Sequence, residues 1–494
     1  MQKKKICLIT PPSPFLLDER VFMHIGILKI ASVLEAKGYS VDFLDLAGVE
    51  NCYDVLNSYI KSSSAVKTFG LTATTPQIPF ALKISNHIRE FSPGAKIILG
   101  GTHSSLMHSA MKKEKFPGRA TKDIKALLCT FDVMVAGDGE KAIFEAFSID
   151  KGIVDADISR GELFLTNAEL EELPFPARHL VDVDSYHYTI DGVRATSLIC
   201  QLGCPFKCTF CGGRNSPFLR KIRTRSSDAV VAEIRHLYNT YGFTGFMFYD
   251  DELNVSKEWE ALLDKLIKTQ EDVGEEFKLR GFVKAELFTQ RQADLMYKAG
   301  FRWLLTGFEA GDERILTNIE KNADVAANTR CIQYAKNAGL KVKALMSIGH
   351  AGESKKTIEN TKNWLLETKP EDFDCTIITT YPGSPYFDEA VKKGDHYVYT
   401  QPRTGDILYQ KDMNYLEEPD YYKGDPDGGY KSYVWTDHIS AKDLVIEREK
   451  LEAEVRSTLN IPFNPAGGFV KFEHSMGQGN LPKSILKSTY GSYN

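Results

Sequence analysis

Cys204, Cys208 and Cys211 lie in the segment GCPFKCTFCGG, separated by three and then two residues. Thiolates at this spacing on a loop let the backbone wrap an inorganic cube, so that three cysteines hold three irons of a 4Fe-4S cluster and leave the fourth iron open. At this chain's cysteine frequency the pattern arises by chance about once in several hundred chains. The alternative is a zinc site completed by His179 or His187, since zinc also favours thiolate and imidazole. Cys200 makes a different spacing with Cys204 and ends an apolar strand, where packing is its expected role.

A second chemical grouping is acidic. Asp250, Asp251 and Glu252 crowd the end of the apolar run FMFY. Their mutual repulsion would raise one pKa and favour proton handling or amine binding, which makes them the candidate catalytic acids; the alternative is a solvated loop capping the next helix.

The elements that must position these groups are α/β. From Lys5 to about residue 150, strands (KICLIT, VDFLDL, TFGLTA, KIILGG, DVMVAG) alternate with helical patterns, as in a doubly wound, Rossmann-like parallel sheet. Its strand-end loops TPPSP, TATTP, GGTHSS and AGDGE form one rim. Residues 151–190, with ELPFPARHL, read as a connecting strap. Over 191–390 six strands, all but the last followed by a helix, predict a partial (β/α)6, TIM-like barrel with its reactive groups at the strand ends. Residues 391–494 form an aromatic C-terminal extension in which Tyr421, Tyr430, Tyr433 and Trp435 either pack against the barrel or supply a substrate lid.

The whole-chain properties agree. With 494 residues and 43% hydrophobic content the chain can bury two cores. A net charge of −5, with basic residues spread among acids, implies no nucleic-acid partner. Nine cysteines with one tight cluster suit a metal site in a reducing compartment, and Cys7, Cys52, Cys129, Cys331 and Cys375 are expected to be buried thiols. The N-terminal apolar run is too short for a signal peptide and no stretch is long enough to cross a bilayer, so a cytoplasmic location is expected.

The CxxxCxFC pattern after a first strand, with FMFYDDELNV, GFEAGDERIL, LMSIGHAGES and YPGSP following in order, resembles the cobalamin-dependent branch of the radical S-adenosylmethionine enzymes over nearly the whole chain. The resemblance implies three cofactors: a 4Fe-4S cluster, S-adenosylmethionine and cobalamin. It implies that Phe210 and Gly212 belong to the cluster loop, that Glu309 meets the adenosylmethionine ribose or amine, and that Arg280 and Lys284 meet its carboxylate. In the first domain, Gly100, Gly101 and His103 match a GGxH turn, while Gly137, Gly139 and Glu140 match a GEGE turn in which Asp138 replaces the first glutamate. Both turns would approach the corrin, with Thr74 and Gln77 the candidates for its lower face. None of His24, His87, His103 or His108 has an aspartate two residues earlier, so a histidine ligand below cobalt is not expected.

The function so implied is methylation of an unactivated carbon in a small molecule or peptide, through a deoxyadenosyl radical and methylcobalamin, with an external flavodoxin or ferredoxin as electron donor. Cyclisation, rearrangement or ring contraction with the same cofactors is the alternative, and a non-catalytic cobalamin or redox sensor is the alternative of another class. Alanine at 351, where the branch usually has proline, is a departure within the GHAGE loop.

Overall fold

A computed structural model of the protein describes residues 5–13, 19–63, 65–418, 421 and 430–462. The first layer is a parallel sheet of β1 (Lys5–Thr10), β2 (Ser40–Asp45), β3 (Thr68–Thr72), β4 (Lys96–Gly100), β5 (Val133–Gly137) and β6 (Gly152–Ala156), ordered β2-β1-β3-β4-β5-β6. Side chains alternate across it. Cys7 and Ile9 enter one core with Leu71 and Leu99, and Ile6 and Leu8 enter another with Ile98 and Val135. Strands apolar on both faces need helices on both. The order reverses between β1 and β3, where loops leaving in opposite directions open a crevice at the strand ends.

β6 corrects the expected boundary: it lies inside the stretch read as a strap and extends the first sheet to Ala156. Five residues at a sheet edge, only two of them buried, carry too weak a pattern to be legible. The strap beyond it is anchored by Arg178, which is 2% exposed and donates to Glu233 Oε1 at 2.9 Å and Ser197 O at 2.8 Å, while Glu233 also accepts from Arg225.

The second sheet begins with β7 (Thr189–Ile190) and β8 (Val193–Leu198), interrupted by the short antiparallel pair β9 (Gln201–Leu202) and β10 (Arg223–Thr224). It continues with β11 (Gly245–Phe248), β12 (Lys278–Phe282), β13 (Phe301–Glu309), β14 (Lys341–Ile348) and β15 (Asp372–Ile377), ordered β15-β14-β13-β12-β11-β8-β7. The six parallel strands are those the sequence predicts, and the antiparallel β7 is an addition.

A six-stranded parallel sheet that does not close leaves β15 as an open edge, which the C-terminal extension covers. Helix Ala441–Leu459 lies along it, with Arg448 donating to Cys375 O and Glu452 accepting from Cys375 N, both at 2.8 Å. Tyr430 accepts from Ile377 N at 3.0 Å. Tyr421 and Tyr433 enter the core of the first sheet, and Trp435 stacks on Tyr409 in the antiparallel sheet β16 (Val391–Lys393), β17 (His396–Thr400), β18 (Ile407–Lys411) and β19 (Val434–Trp435). Tyr421, Tyr430 and Tyr433 therefore pack the extension onto the two domains while Trp435 packs within the extension, and residues 463–494 lie outside the described residues. No helix among the described residues is long and apolar enough to cross a membrane.

Candidate functional site

Cys204, Cys208 and Cys211 occupy the loop between β9 and β10, at the barrel's strand-end face. Burial pushes the Cys204 thiol up to about 12 and raises Cys208 as well, so thiolates there require compensating positive charge. Some is already in place: Arg220 Nη2 donates to Cys211 Sγ at 3.0 Å and to Gly212 O at 2.6 Å. Among the described residues no three His, Cys, Asp or Glu side chains converge as ligands of a single ion, and His179 is turned to Glu35 at 3.1 Å. Three thiols on one loop, a basic neighbour and no convergent imidazole fit a cube better than zinc. Of the other cysteines, Cys129 is exposed against expectation, because helix Arg119–Thr130 buries Ala120, Ile124 and Leu127 and turns Cys129 off that stripe.

The three acids separate. Asp250 is 2% exposed and accepts from the N–H groups of Cys200 and Gln201, tying the end of β11 to the start of the cluster loop. Asp251 is exposed. Glu252 Oε2 is buried without a hydrogen-bond partner among the described residues, and burial pushes the carboxyl up to about 7. An orphaned buried carboxyl beside the cluster loop is suited to an ammonium group. Asp250 thus serves as a tie between β11 and the cluster loop.

Burial also pushes Asp250 up to about 8 from 3.8, so the folded state binds its proton more tightly and the group's contribution to stability falls as pH rises from about 4 to about 8. Asp250→Asn keeps an acceptor without charge. It is expected to exceed the wild-type melting temperature already at pH 6 and by more at pH 9, whereas Asp250→Ala, orphaning two N–H groups, costs about 2 kcal/mol or more. Thermal melts at the two pH values check this.

Glu309 ends β13 at φ +67°, a left-handed conformation rare for a side-chain-bearing residue, beside a register shift between Gly307 and Glu309. Its side chain folds back over Gly307, where a Cβ would stand 2.5 Å from Glu309 Oε1. Lys321 Nζ meets Oε1 at 3.2 Å, and Ser347 Oγ donates to Oε2 at 2.7 Å. Arg314, the other possible partner, pairs with Asp406 instead. Phe210 lies edge-on to His350, with ring centres 5.3 Å apart. Gly212 leaves room for Leu106 of the first domain, since a Cβ there would be 3.1 Å from Leu106 Cδ2.

The two basic candidates differ from expectation. Arg280 sits mid-strand in β12, 1% exposed, with its guanidinium 5.4 Å from the Trp303 ring centre, below the strand ends. Lys284 lies at the strand end but is already paired with Glu286 at 2.8 Å and donates to Lys321 O. Lys284 is thus already paired, while Arg280, the Nε of which is buried without a hydrogen-bond partner among the described residues, lies below the mouth.

Between the two domains lies a cavity of about 710 Å³. Its first wall contains Thr74, Gln77, Gly100, Gly101, Gly137, Gly139 and Glu140, and its second Ser197, Leu202, Phe218, Tyr249 and Tyr381 of the barrel side. The lining also includes Gly70 together with Leu8, Ile27, Ile98 and Val135, the side chains of which belong to the core between the first sheet and helix Ile25–Ala36. Glycine-rich strand-end turns and an apolar lining on one side of the cavity fit the close approach of a large, flat cofactor such as a corrin. Gly101 shapes the rim: at φ +94° its missing Cβ would fall 2.6 Å from Ala73 N. Gln77 binds Thr74 through Oε1 and Pro11 O through Nε2, fastening the β1 and β3 loops to each other.

His103 does not reach the cavity wall. It is fully buried behind the rim, 3.1 Å from Thr75 Oγ1, and burial pushes its pKa down to about 3. His24, with no such place in the sequence reading, does line the cavity.

Asp138 of the AGDGE turn lines the cavity too, but its carboxylate forms a buried ion pair with Arg223 and accepts from Leu165 N at 2.8 Å. Sequence reasoning missed Arg223, Arg220, Ser347 and His350. The basic run LRKIRTR just after the cysteines was the available signal for the two arginines.

Comparison with known proteins gives two family matches: the B12 binding domain over residues 20–145 and the radical SAM superfamily over 198–365. An uncharacterized methyltransferase of Pyrococcus horikoshii is 23% identical over 407 residues, covering 79% of this chain and 84% of the relative. The anaerobic magnesium-protoporphyrin IX monomethyl ester cyclase of Rubrivivax gelatinosus is 26% identical over 377 residues, covering 73% of this chain and 65% of the cyclase. Among solved structures, the radical S-adenosylmethionine methyltransferase TsrM of Kitasatospora setae, with cobalamin and a 4Fe-4S cluster bound, superposes with a TM-score of 0.62 at 16% identity over 94% of this chain and 90% of TsrM.

Proposed function

Because this chain belongs to the cobalamin-dependent radical S-adenosylmethionine enzymes, we propose that it methylates an unactivated carbon of a small molecule or peptide. The observation that carries the reading is a cavity of about 710 Å³ walled on one side by the strand-end rim of the first sheet and on the other by Ser197, Ile199, Leu202, Phe218, Tyr249 and Tyr381 of the barrel side. When bound, the three cofactors supply a carbon-centred radical that removes hydrogen and a methyl group that replaces it.

The chain's own residues position and enclose. Cys204, Cys208 and Cys211 hold the cluster, Arg220 offsets thiolate charge, Glu252 receives the adenosylmethionine ammonium and Glu309 its ribose hydroxyls. Thr74, Gln77 and Gly101 would hold the corrin from the side of the first sheet, while Tyr249, Phe218 and Tyr381 would exclude water from the barrel side of the cavity. A cytoplasmic location suits the free cysteines, and an external flavodoxin or ferredoxin completes the electron supply.

The cyclase relative supports a second reading, radical cyclisation, rearrangement or ring contraction without methyl transfer. Incubation of cofactor-loaded enzyme with methyl-deuterated adenosylmethionine, a strong reductant and a panel of acceptors separates the two. Methylation gives deoxyadenosine, S-adenosylhomocysteine and an acceptor heavier by a deuterated methyl group; deoxyadenosine with an unlabelled, rearranged acceptor would replace this proposal with the second reading.

A further inference from the structure

Glu309 is the last member of a buried hydrogen-bonded line that starts in the segment after YPGSP. Tyr386 OH lies 3.3 Å from His350 Nδ1, His350 Nε2 lies 2.8 Å from Ser347 Oγ, and Ser347 Oγ donates to Glu309 Oε2 at 2.7 Å. Tyr386 and His350 are fully buried and Ser347 is 6% exposed, so no solvent competes for these bonds. Tyr386 is itself locked by the extension: its ring meets Tyr399 edge-on at 4.9 Å and its carbonyl accepts from Gln410.

The donor inventory permits one direction. A serine hydroxyl whose proton goes to a carboxylate can only accept from its other neighbour, which puts a proton on His350 Nε2. A neutral imidazole protonated there leaves Nδ1 to accept from Tyr386. At the far end, Lys321 takes one lone pair on Oε1 and Ser347 one on Oε2, leaving one on each oxygen.

We propose that Ser347 and His350 are positioning residues which fix the rotation of the Glu309 carboxylate, so that its two free lone pairs face the two hydroxyls of the adenosylmethionine ribose. This rests on the reading that Glu309 meets that ribose. A glutamate's terminal torsion is broad and roughly two-fold, and without Ser347 the carboxylate can turn to give both oxygens to Lys321. The family-like loop GHAGE then has a use for histidine at 350 that its backbone alone does not require.

The test measures adenosylmethionine affinity on enzyme loaded with cluster and cobalamin, by titrating the electron paramagnetic resonance signal of the reduced cluster. It uses adenosylmethionine and its 2′,3′-dideoxyribose analogue, with iron and corrin content recorded for each variant. Ser347→Ala and His350→Leu are expected to weaken adenosylmethionine about tenfold, about the loss of one charge-assisted hydrogen bond. The analogue's affinity should stay within about twofold, and His350→Gln, which keeps a donor toward Ser347, should recover most of the loss. Unchanged adenosylmethionine affinity in Ser347→Ala, or equal losses for ligand and analogue, would overturn the proposal. Glu309→Ala separates the two levels: if it leaves adenosylmethionine affinity unchanged, the reading of Glu309 fails; if it weakens binding while Ser347→Ala does not, only the line behind it fails.

Discussion

Cys208→Ala is expected to reduce bound iron to a residual level, abolish the cluster's visible absorption and lower adenosylmethionine cleavage at least about 1,000-fold, equivalent to about 4 kcal/mol of barrier. The physical reason is that no replacement ligand is in place. The nearest spare thiol in sequence, Cys200, is buried at the end of the first barrel strand, and its N–H is held by Asp250. Cys208 is also the most enclosed of the three, so water cannot substitute for its sulfur without opening the loop fastened by Thr209 N to Ile319 O. Cys200→Ala provides the contrast: it should leave iron content unchanged and cost only the stability of a small buried side chain, about 1 kcal/mol. Iron and sulfide analysis of the two variants, with deoxyadenosine quantified under reductant, checks both.

Arg223→Ala is expected to destabilise the folded chain by about 3–5 kcal/mol, because it strands the Asp138 carboxylate, 1% exposed, inside the contact between the domains. Burial already pushes Asp138 up to about 6 with the guanidinium beside it. Removing Arg223 raises it further, so protonation relieves the defect: the loss should be largest at alkaline pH and shrink on acidification. Asp138→Asn combined with Arg223→Met, which removes both charges, should restore most of the stability. Because Asp138 also lines the cavity, corrin retention should fall with Arg223→Ala and return in the double variant. Urea unfolding at pH 6 and pH 9, with cobalamin content measured on the same samples, tests the pair.

What was legible in the sequence follows from how local each signal is. The cysteine spacing, the period-2 strands and the glycine turns are written within a few residues of one another, and the two sheets with their strand-end rims follow from them. Glu309 was legible because a strand end fixes its level in the barrel. Arg280 and Lys284 were misplaced for the opposite reason: one strand residue more or less decides whether a side chain reaches the mouth, and Lys284's partners Glu286 and Lys321 are set by the fold.

The same holds for Asp250, whose tie to Cys200 spans 50 residues, and for His350, which joins Glu309 through Ser347 on one side and Tyr386 of helix Pro385–Asp388 on the other. His103 matched a turn by type yet lies behind it, since helix Thr102–Met111 turns Thr102 and Ser105, and not His103, to the cavity. Packing of the extension on the barrel was one of two readings, but which strand it covers could not be read, because an edge strand declares itself only once the barrel's closure is known.

One chain is thus expected to hold a cubane cluster on Cys204, Cys208 and Cys211 and a corrin in the cavity between its two domains. The most direct measurement is anaerobic reconstitution with iron, sulfide and hydroxocobalamin, followed by metal and corrin analysis of the purified chain. About four irons and one cobalamin per chain, with the iron lost in Cys208→Ala and the corrin retained, is the predicted result. Zinc in place of iron, or a full cluster in a chain that retains no corrin, would contradict it.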